Sequence, residues 1–421
     1  MSSYRLEAEL CQYTPLLHFQ GDEEGAFLRA SEVKPKLDRF LLTCLEQMGI
    51  READIPERWK LSIPEDGEET FHTTAFRYKM RFEGIGRSEE TDVHPLYFAS
   101  NMTGTAKSIV HKDGVKLTII ALEKQRLPGS IRLFQEKVLN NPTLLELIQE
   151  MLPAFFALHC FGTRSNKGFG SFGVKGASVS AANLRRCMPR RCLAIFDLES
   201  ETAEYGMFER LDDVYVLSAM IKGGVNLSFG RRPAYYKGDI HTLLPANRIG
   251  SEKAYLKQQV FTASEKQWYR SLCRQQHHAP EYQQYQFIRA MLGLTDTYTF
   301  GVGRSAKKFS VRDADGVIER FANPITFKPC ENGILVLVYQ IPQRMLGARF
   351  QFGDPSHVIS TPEQFDIVKF TSDFLRQLNG NTKNPFWAAF RRADPRIRIN
   401  GKTICFEDTL STLYLAGEGG N

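Results

Sequence analysis

Apolar and polar positions alternate at the start of the chain. Tyr4, Leu6, Ala8 and Leu10 fall on one side and Arg5, Glu7 and Glu9 on the other, the period-two pattern of a half-buried strand. The period then lengthens. Leu37, Phe40, Leu41, Cys44, Leu45 and Met48 recur at three- and four-residue spacing, behind Ser31 as a cap and Pro35 in the first turn, and Gly49 closes the run. This stripe predicts a helix packed on a sheet, with Phe40 buried. Residues 50–70 are polar and proline-bearing, an insertion without a core signature. Alternation returns with Phe76, Tyr78, Met80 and Phe82 against Arg77, Lys79, Arg81 and Glu83, a strand with one largely basic face that could track RNA. Residues 107–122 read as a hairpin turning at Asp113-Gly114. A second helix is expected from Asn141 as cap and Pro142 at its first position, through Leu144, Leu145, Ile148, Met151, Leu152, Phe155 and Phe156, with a kink at Pro153. With a strand after it, the order is strand-helix-strand-strand-helix-strand, the α+β plan of a ferredoxin-like domain.

Beyond residue 181 the pattern restarts. Residues 191–198 and 214–221 read as strands, 251–289 as a helical tract, and 309–312, 320–328 and 334–341 as strands. A last helix is expected with Pro362 at its first position and Ile367, Phe370, Phe374 and Leu378 on its apolar face. The expected organisation is two ferredoxin-like domains in tandem, 1–190 and 191–421, the second diverged and carrying a helical insertion.

The connection after the second helix carries the most distinctive chemistry. Residues 162–172, GTRSNKGFGSF, place Gly162, Gly168 and Gly170 among Arg164, Ser165, Asn166, Lys167 and Phe169. Glycine lets a backbone adopt positive φ and approach a phosphate closely, cations neutralise it, and an aromatic ring stacks on a base. Arg164, Lys167, Lys175, Arg185, Arg186, Arg190 and Arg191 lie between Phe161 and Cys192 without one Asp or Glu. The loop is not a Walker phosphate loop, since its lysine precedes the glycine, nor a dinucleotide fingerprint, since it leaves a helix instead of entering one. The plainer reading is a glycine C-cap running into a solvated hairpin.

Two further stretches share this chemistry. Arg29, Lys34, Lys36 and Arg39 cluster at the start of the first helix, where free backbone N–H groups favour anions, although Glu32 and Asp38 sit among them. Residues 222–237, KGGVNLSFGRRPAYYK, combine glycines, aromatics, Arg231 and Arg232 without an acid.

Composition narrows the field. A chain of 421 residues with 42% hydrophobic content can bury substantial cores, and a net charge of +6 makes any nucleic-acid surface a matter of clustering. The eight cysteines are scattered, and the one close pair, Cys187 and Cys192, has no partner pair to complete a zinc site, so free thiols in a reducing cytoplasm and no metal or cofactor are expected. The N-terminus reads as no signal peptide, and the longest apolar block, 151–161, is too short to span a bilayer. For RNA cleavage without metal a histidine base is needed. His18 and His159 stand in apolar surroundings, and His277 and His278 in a polar run, so all four read better as non-catalytic.

At this point the residues resemble the repeat-associated mysterious proteins (RAMPs), which build the backbones of type III CRISPR effectors. The glycine-rich loop after the second helix of a ferredoxin-like domain is their hallmark, matched by residues 162–172. Residues 14–20 (TPLLHFQ) leading into 29–41 (RASEVKPKLDRFL) agree too, as do 289–294 (RAMLGL) and 320–329 (RFANPITFKP). The pairing of the halves is most similar to the first-subunit family of type III-B (Cmr) complexes. The run 34–39, KPKLDR, departs from the usual lysine-glycine-x-leucine-arginine at the first helix, and the chain is longer than is typical near 50–70 and 250–280. The resemblance implies a non-catalytic subunit that holds the 3′ part of the guide crRNA and its duplex with target RNA, among other subunits of the complex. The alternative it leaves is a guide-processing endoribonuclease of the same superfamily, with His18 as base.

Overall fold

The computed structural model describes residues 4–17, 27–61, 75–91, 109–133, 137–200, 206–229, 232–244, 248–272, 282–300, 306–378, 396–399, 402–405 and 413–415. The chain forms two compact units, one of Met1–Tyr215, Thr326–Leu337 and Asn400–Asn421, the other of Val216–Ile325 and Val338–Ile399. The protein is of mixed α and β structure. Among the described residues no helix is long and apolar enough to cross a membrane.

In the first unit, β1 (Arg5–Gln12), β2 (Lys79–Thr91), β3 (Ile109–Ile120) and, past a small ribbon of β4 (Ser130–Arg132) and β5 (Val138–Asn140), β6 (Phe172–Val174) form a sheet of order β2-β3-β1-β6. All its pairings are antiparallel. α1 (Ala30–Gln47) connects β1 to β2 and packs against β2, while α2 (Leu144–Leu158) packs against β1 and β6. Leu37, Phe40, Leu41, Cys44 and Leu45 of α1 are buried, as are Leu147, Ile148, Met151, Leu152, Phe155 and Phe156 of α2. The Phe40 and Phe155 rings meet at 5.6 Å.

A second sheet of the same unit takes β7 (Cys192–Ser200), β14 (Ile325–Cys330), β15 (Gly333–Tyr339) and β20 (Leu413–Leu415) in the order β14-β15-β7-β20. Past the short turn α3 (Ala181–Leu184) and β7, α4 (Met207–Ser218) follows the sheet's first strand as α1 follows β1. Ranked by chain position, the β2-β3-β1-β6 and β14-β15-β7-β20 sheets both run second, third, first, fourth. The strand β19 (Lys402–Cys405) belongs to the same C-terminal segment.

The second unit contains β8 (Val225–Phe229), β9 (Arg232–Tyr236) and β18 (Arg396–Ile399), in which β8 pairs antiparallel with both others. Its larger sheet joins β10 (Ile249–Ser251), β11 (Gln284–Gln286), β12 (Thr297–Phe300), β13 (Lys307–Asp313), β16 (Arg349–Phe352) and β17 (Val358–Ser360) in the order β10-β11-β17-β16-β13-β12. Its α-helices among the described residues include the turn α5 (Glu252–Tyr255), α6 (Ala263–Leu272) and α7 (Ile367–Leu378).

Several expectations change. Asp113-Gly114 is no turn but lies inside β3, and the hairpin is formed by β2 with β3. Residues 214–221, read as a strand, continue α4, because Leu211, Val214 and Leu217 recur at helical spacing and are buried. The cap of α2 is Thr143, whose hydroxyl accepts the Glu146 N–H while Glu146 accepts the Thr143 N–H. The first helix starts two residues earlier than Ser31 as its cap would allow, with Arg29 at its N-cap. Asp366, not Pro362, heads the last helix, its carboxylate accepting the Lys369 N–H at 2.9 Å. The tract 251–289 is helical only in part, giving way to β11 and a 3-10 turn at Ile288–Leu292. The strand expected over 320–328 begins at Ile325. Within 50–70, Ile55 and Trp59 are core residues, and the Trp59 indole donates to the Gln125 carbonyl at 2.8 Å.

Candidate nucleic-acid interface

α2 ends at Leu158, and the glycine loop that follows is fastened by its backbone to residues 14–17, where β1 has ended. Thr163 N–H donates to the Leu17 carbonyl at 2.7 Å, Gly170 N–H to Pro15 at 2.8 Å and Phe161 N–H to Gly170 at 2.9 Å. Below lies a buried polar knot. The Thr14 hydroxyl donates to the Gly168 carbonyl and accepts the Ser171 N–H at 3.0 Å. Lys328, only 1% exposed, donates to the Ser171 hydroxyl and to the Phe172 carbonyl at 3.0 Å, and Ser171 donates to the Pro329 carbonyl. Burial lowers the Lys328 pKa, against the pull of Cys160 and Cys330. Such an amine is tolerable inside a protein only because its acceptors are in place.

On this base the loop turns outward at residues 164–167. Arg164 holds φ 58°, a left-handed conformation uncommon for a residue with a Cβ. Arg164 and Ser165 are half-buried, while Asn166 and Lys167 are exposed. Although the Lys167 side chain reaches solvent, nearby protein desolvates it and the Arg164 cation adds repulsion, so its pKa is lowered. The attraction of an anion at this tip would offset both effects.

Past the tip the loop turns inward, and two expectations are corrected. Phe169 is 2% exposed and presents no face to a base; its ring is part of the core. Gly168 and Gly170 are buried, so their bare backbones meet protein instead of a phosphate chain. A Cβ on Gly168 would sit 3.1 Å from Pro329 Cγ, and one on Gly170 2.0 Å from the Phe161 carbonyl oxygen.

The cations of α1 have mostly internal partners. Lys34 binds the Asp38 carboxylate at 2.7 Å and the Phe76 carbonyl at 2.8 Å, and Lys36 binds Glu32 at 3.0 Å and the Cys160 carbonyl at 3.2 Å. Glu32 also accepts the Gly162 N–H at 2.7 Å, so Lys36 and Glu32 tie α1 to the glycine loop. Arg29 is half-buried and Arg39 exposed. Arg232 opens β9 in the second unit, and Arg231 lies outside the described residues. Of the basic strand face expected at 76–83, Arg77 and Lys79 are exposed while Arg81 meets Glu83 at 3.1 Å; elsewhere in the first unit Lys116 meets Glu7 at 3.0 Å and Lys175 meets Glu9 at 2.6 Å.

His159 packs against the Phe155 and Phe40 rings at 4.7 and 5.7 Å, its Nδ1 2.8 Å from the Phe155 carbonyl. Burial lowers its pKa to about 4. The unfolded chain then takes up a proton near pH 6.5 that the folded chain refuses until about 4, so stability falls as pH drops through that window. The expected loss is up to about 3 kcal/mol, read as the difference between pH 7 and pH 4.5 denaturation midpoints that His159→Phe flattens. His18, His277 and His278 lie outside the described residues.

Thr14 and Lys328 were not candidates from sequence. Lys328 occupies a core position of β14 with Phe327 and Pro329 buried beside it, and a lysine in an apolar run reads as exposed until its acceptors are seen.

Comparison with known proteins identifies the family. Residues 3–225 match the Cmr1 N-terminal domain and residues 235–393 the Cmr1 C-terminal domain. The protein is therefore of the RAMP class that its motifs resemble. The chain belongs to the Cmr1 family, a type III-B subunit family. Among solved structures it is similar to the crystal structure of Cmr1 from Pyrococcus furiosus (apo form), at 12% identity and TM-score 0.33, over 81% of this chain and 90% of that one. No curated protein matches the sequence.

Proposed function

We propose that this protein is a non-catalytic RNA-binding subunit of a type III-B (Cmr) antiviral effector, working in the cytoplasm, and that it holds the 3′ part of the guide crRNA and its duplex with target RNA beside other subunits of the complex. The observation that carries this reading is the tip at 164–167. Two cations and two small polar side chains stand on a turn locked from below by Thr14, Ser171 and Lys328, and no carboxylate lies in the loop. A rigid cationic turn holds a phosphate with little ordering cost. The shared second-third-first-fourth strand order supports reading the protein as tandem ferredoxin-like domains, with the division near residue 190, just before β7. The insertion between α4 and β14 then belongs to the second domain.

Arg164→Ala and Lys167→Ala are each expected to weaken RNA binding about equally for all sequences, and to flatten the slope of log affinity against log salt by about 0.7 per contact with a single strand. Filter binding over a salt series checks this. Unchanged affinity and slope in both variants would remove the loop from the interface.

The second reading is a nuclease of the same superfamily, with His18 as base. Leu17, which precedes His18 in sequence, accepts the Thr163 N–H of the glycine loop. Incubation with repeat-containing RNA in EDTA decides: discrete cuts that His18→Ala abolishes would establish the enzyme, and intact RNA supports the scaffold.

A further inference from the structure

The second unit carries a cluster of rings and cations of its own. α6 begins behind a reciprocal cap, Thr262 N–H donating to the Glu265 carboxylate at 2.8 Å and Glu265 N–H to the Thr262 hydroxyl at 3.3 Å. The same carboxylate binds the Lys307 ammonium, which pins the helix start to β13. Phe261 is buried, its ring 5.0 Å from Phe300, 6.0 Å from Phe309 and 6.2 and 6.5 Å from Tyr269 and Trp268. The Tyr269 ring is 5.7 Å from Phe300. The three phenylalanines form the floor of this corner, and Trp268 and Tyr269 are half-buried at its surface.

Charge follows the rings. Lys257 stands 4.1 Å over the Tyr269 ring, Lys266 is held at 2.9 Å by the Gln258 carbonyl, and Arg270 is exposed. Residues 253–272 contain Lys253, Lys257, Lys266 and Arg270 against Glu265 alone, and Glu265 is engaged by its cap and by Lys307.

We propose that this corner of the second unit is a binding site for single-stranded RNA, with bases stacking on Trp268 and Tyr269 and with Lys257, Lys266 and Arg270 supplying charge for the phosphates. Rings lying flush with a surface reach unpaired bases and not those inside a duplex. A protein partner covering the corner would have to desolvate several cations with one committed carboxylate between them, whereas a polyanion neutralises them. The site is separate from the glycine loop and stands or falls independently of it.

The test uses the full chain and a fluorescein-labelled oligouridine, followed by anisotropy over a salt series. Trp268→Ala is expected to weaken binding roughly tenfold, and Trp268→Phe, which keeps a ring, to recover most of it. Arg270→Ala, at an exposed position, should flatten the salt slope by about 0.7. Thermal melts identify any variant that fails to fold, in which case Trp268→Phe and Arg270→Ala decide. Normal affinity and slope for folded Trp268→Ala and Arg270→Ala overturn the proposal, and so does a result in which they lose only a protein partner. Arg164→Ala with Lys167→Ala, measured beside them, separates the two sites: a loop that proves irrelevant leaves the Trp268 result standing, and the converse holds.

Discussion

Gly170→Ala is expected to destabilise the first unit by roughly 4 kcal/mol or more, among the largest single-residue losses available to it. Two effects add. Gly170 holds φ 64°, where any residue with a Cβ is disfavoured. The new methyl would also stand 2.0 Å from the Phe161 carbonyl oxygen, and Phe161 cannot shift away cheaply because its N–H donates to the Gly170 carbonyl at 2.9 Å. Gly176 is the internal control: its φ is 72° but a Cβ there meets nothing within 4 Å, so Gly176→Ala should show only the backbone cost of about 1–2 kcal/mol. Urea unfolding of both variants reads the contrast. Equal losses would mean that the loop backbone yields to the methyl.

Phe155→Ala should lose about 3–5 kcal/mol, the range for emptying an aromatic site in a packed core. Its ring is fully buried and meets Phe156 at 5.1 Å, Phe40 at 5.6 Å, Phe161 at 6.0 Å and His159 at 4.7 Å. It therefore joins α1, α2 and the start of the glycine loop. The expected signature is a combined one, a lower unfolding midpoint and a weakened His159 pKa shift, since water entering the cavity resolvates the imidazole. A loss under about 1 kcal/mol, typical of surface substitutions, would place the ring outside the core.

What could be read from the residues, and what could not, divides along physical lines. The stripe from Leu37 to Leu45 was legible because a helix with one wet face repeats its period, and all of Leu37, Phe40, Leu41, Cys44 and Leu45 are buried. The position of the glycine loop after α2 was legible for the same reason. The inward turn of Phe169 was not, because an aromatic flanked by glycines looks the same whether it meets a base or a core. The α4 stretch misled because Val214, Val216 and Leu217 present β-branched and apolar residues in close succession, and only Leu211 upstream restores the helical spacing. Trp59 was missed since its partner, the Gln125 carbonyl, is distant in sequence. Lys34 and Lys36 looked like free charge because Phe76 and Cys160, whose carbonyls they bind, are 42 and 124 residues away.

The split second sheet bears on how the protein is made. β7 ends at Ser200, yet its neighbour β15 begins at Gly333 and its other neighbour β20 at Leu413. At a synthesis rate of about 5–20 residues per second, the ribosome needs roughly 7–27 s to reach Gly333 after finishing Ser200. For that interval neither neighbouring strand of β7 exists, so Ile195 and Leu198, core residues of the finished protein, sit on a strand without its partners. Nascent chains paused in this state can pair edge to edge with one another. Slower initiation during expression, which spaces such nascent chains apart, should therefore raise the soluble yield.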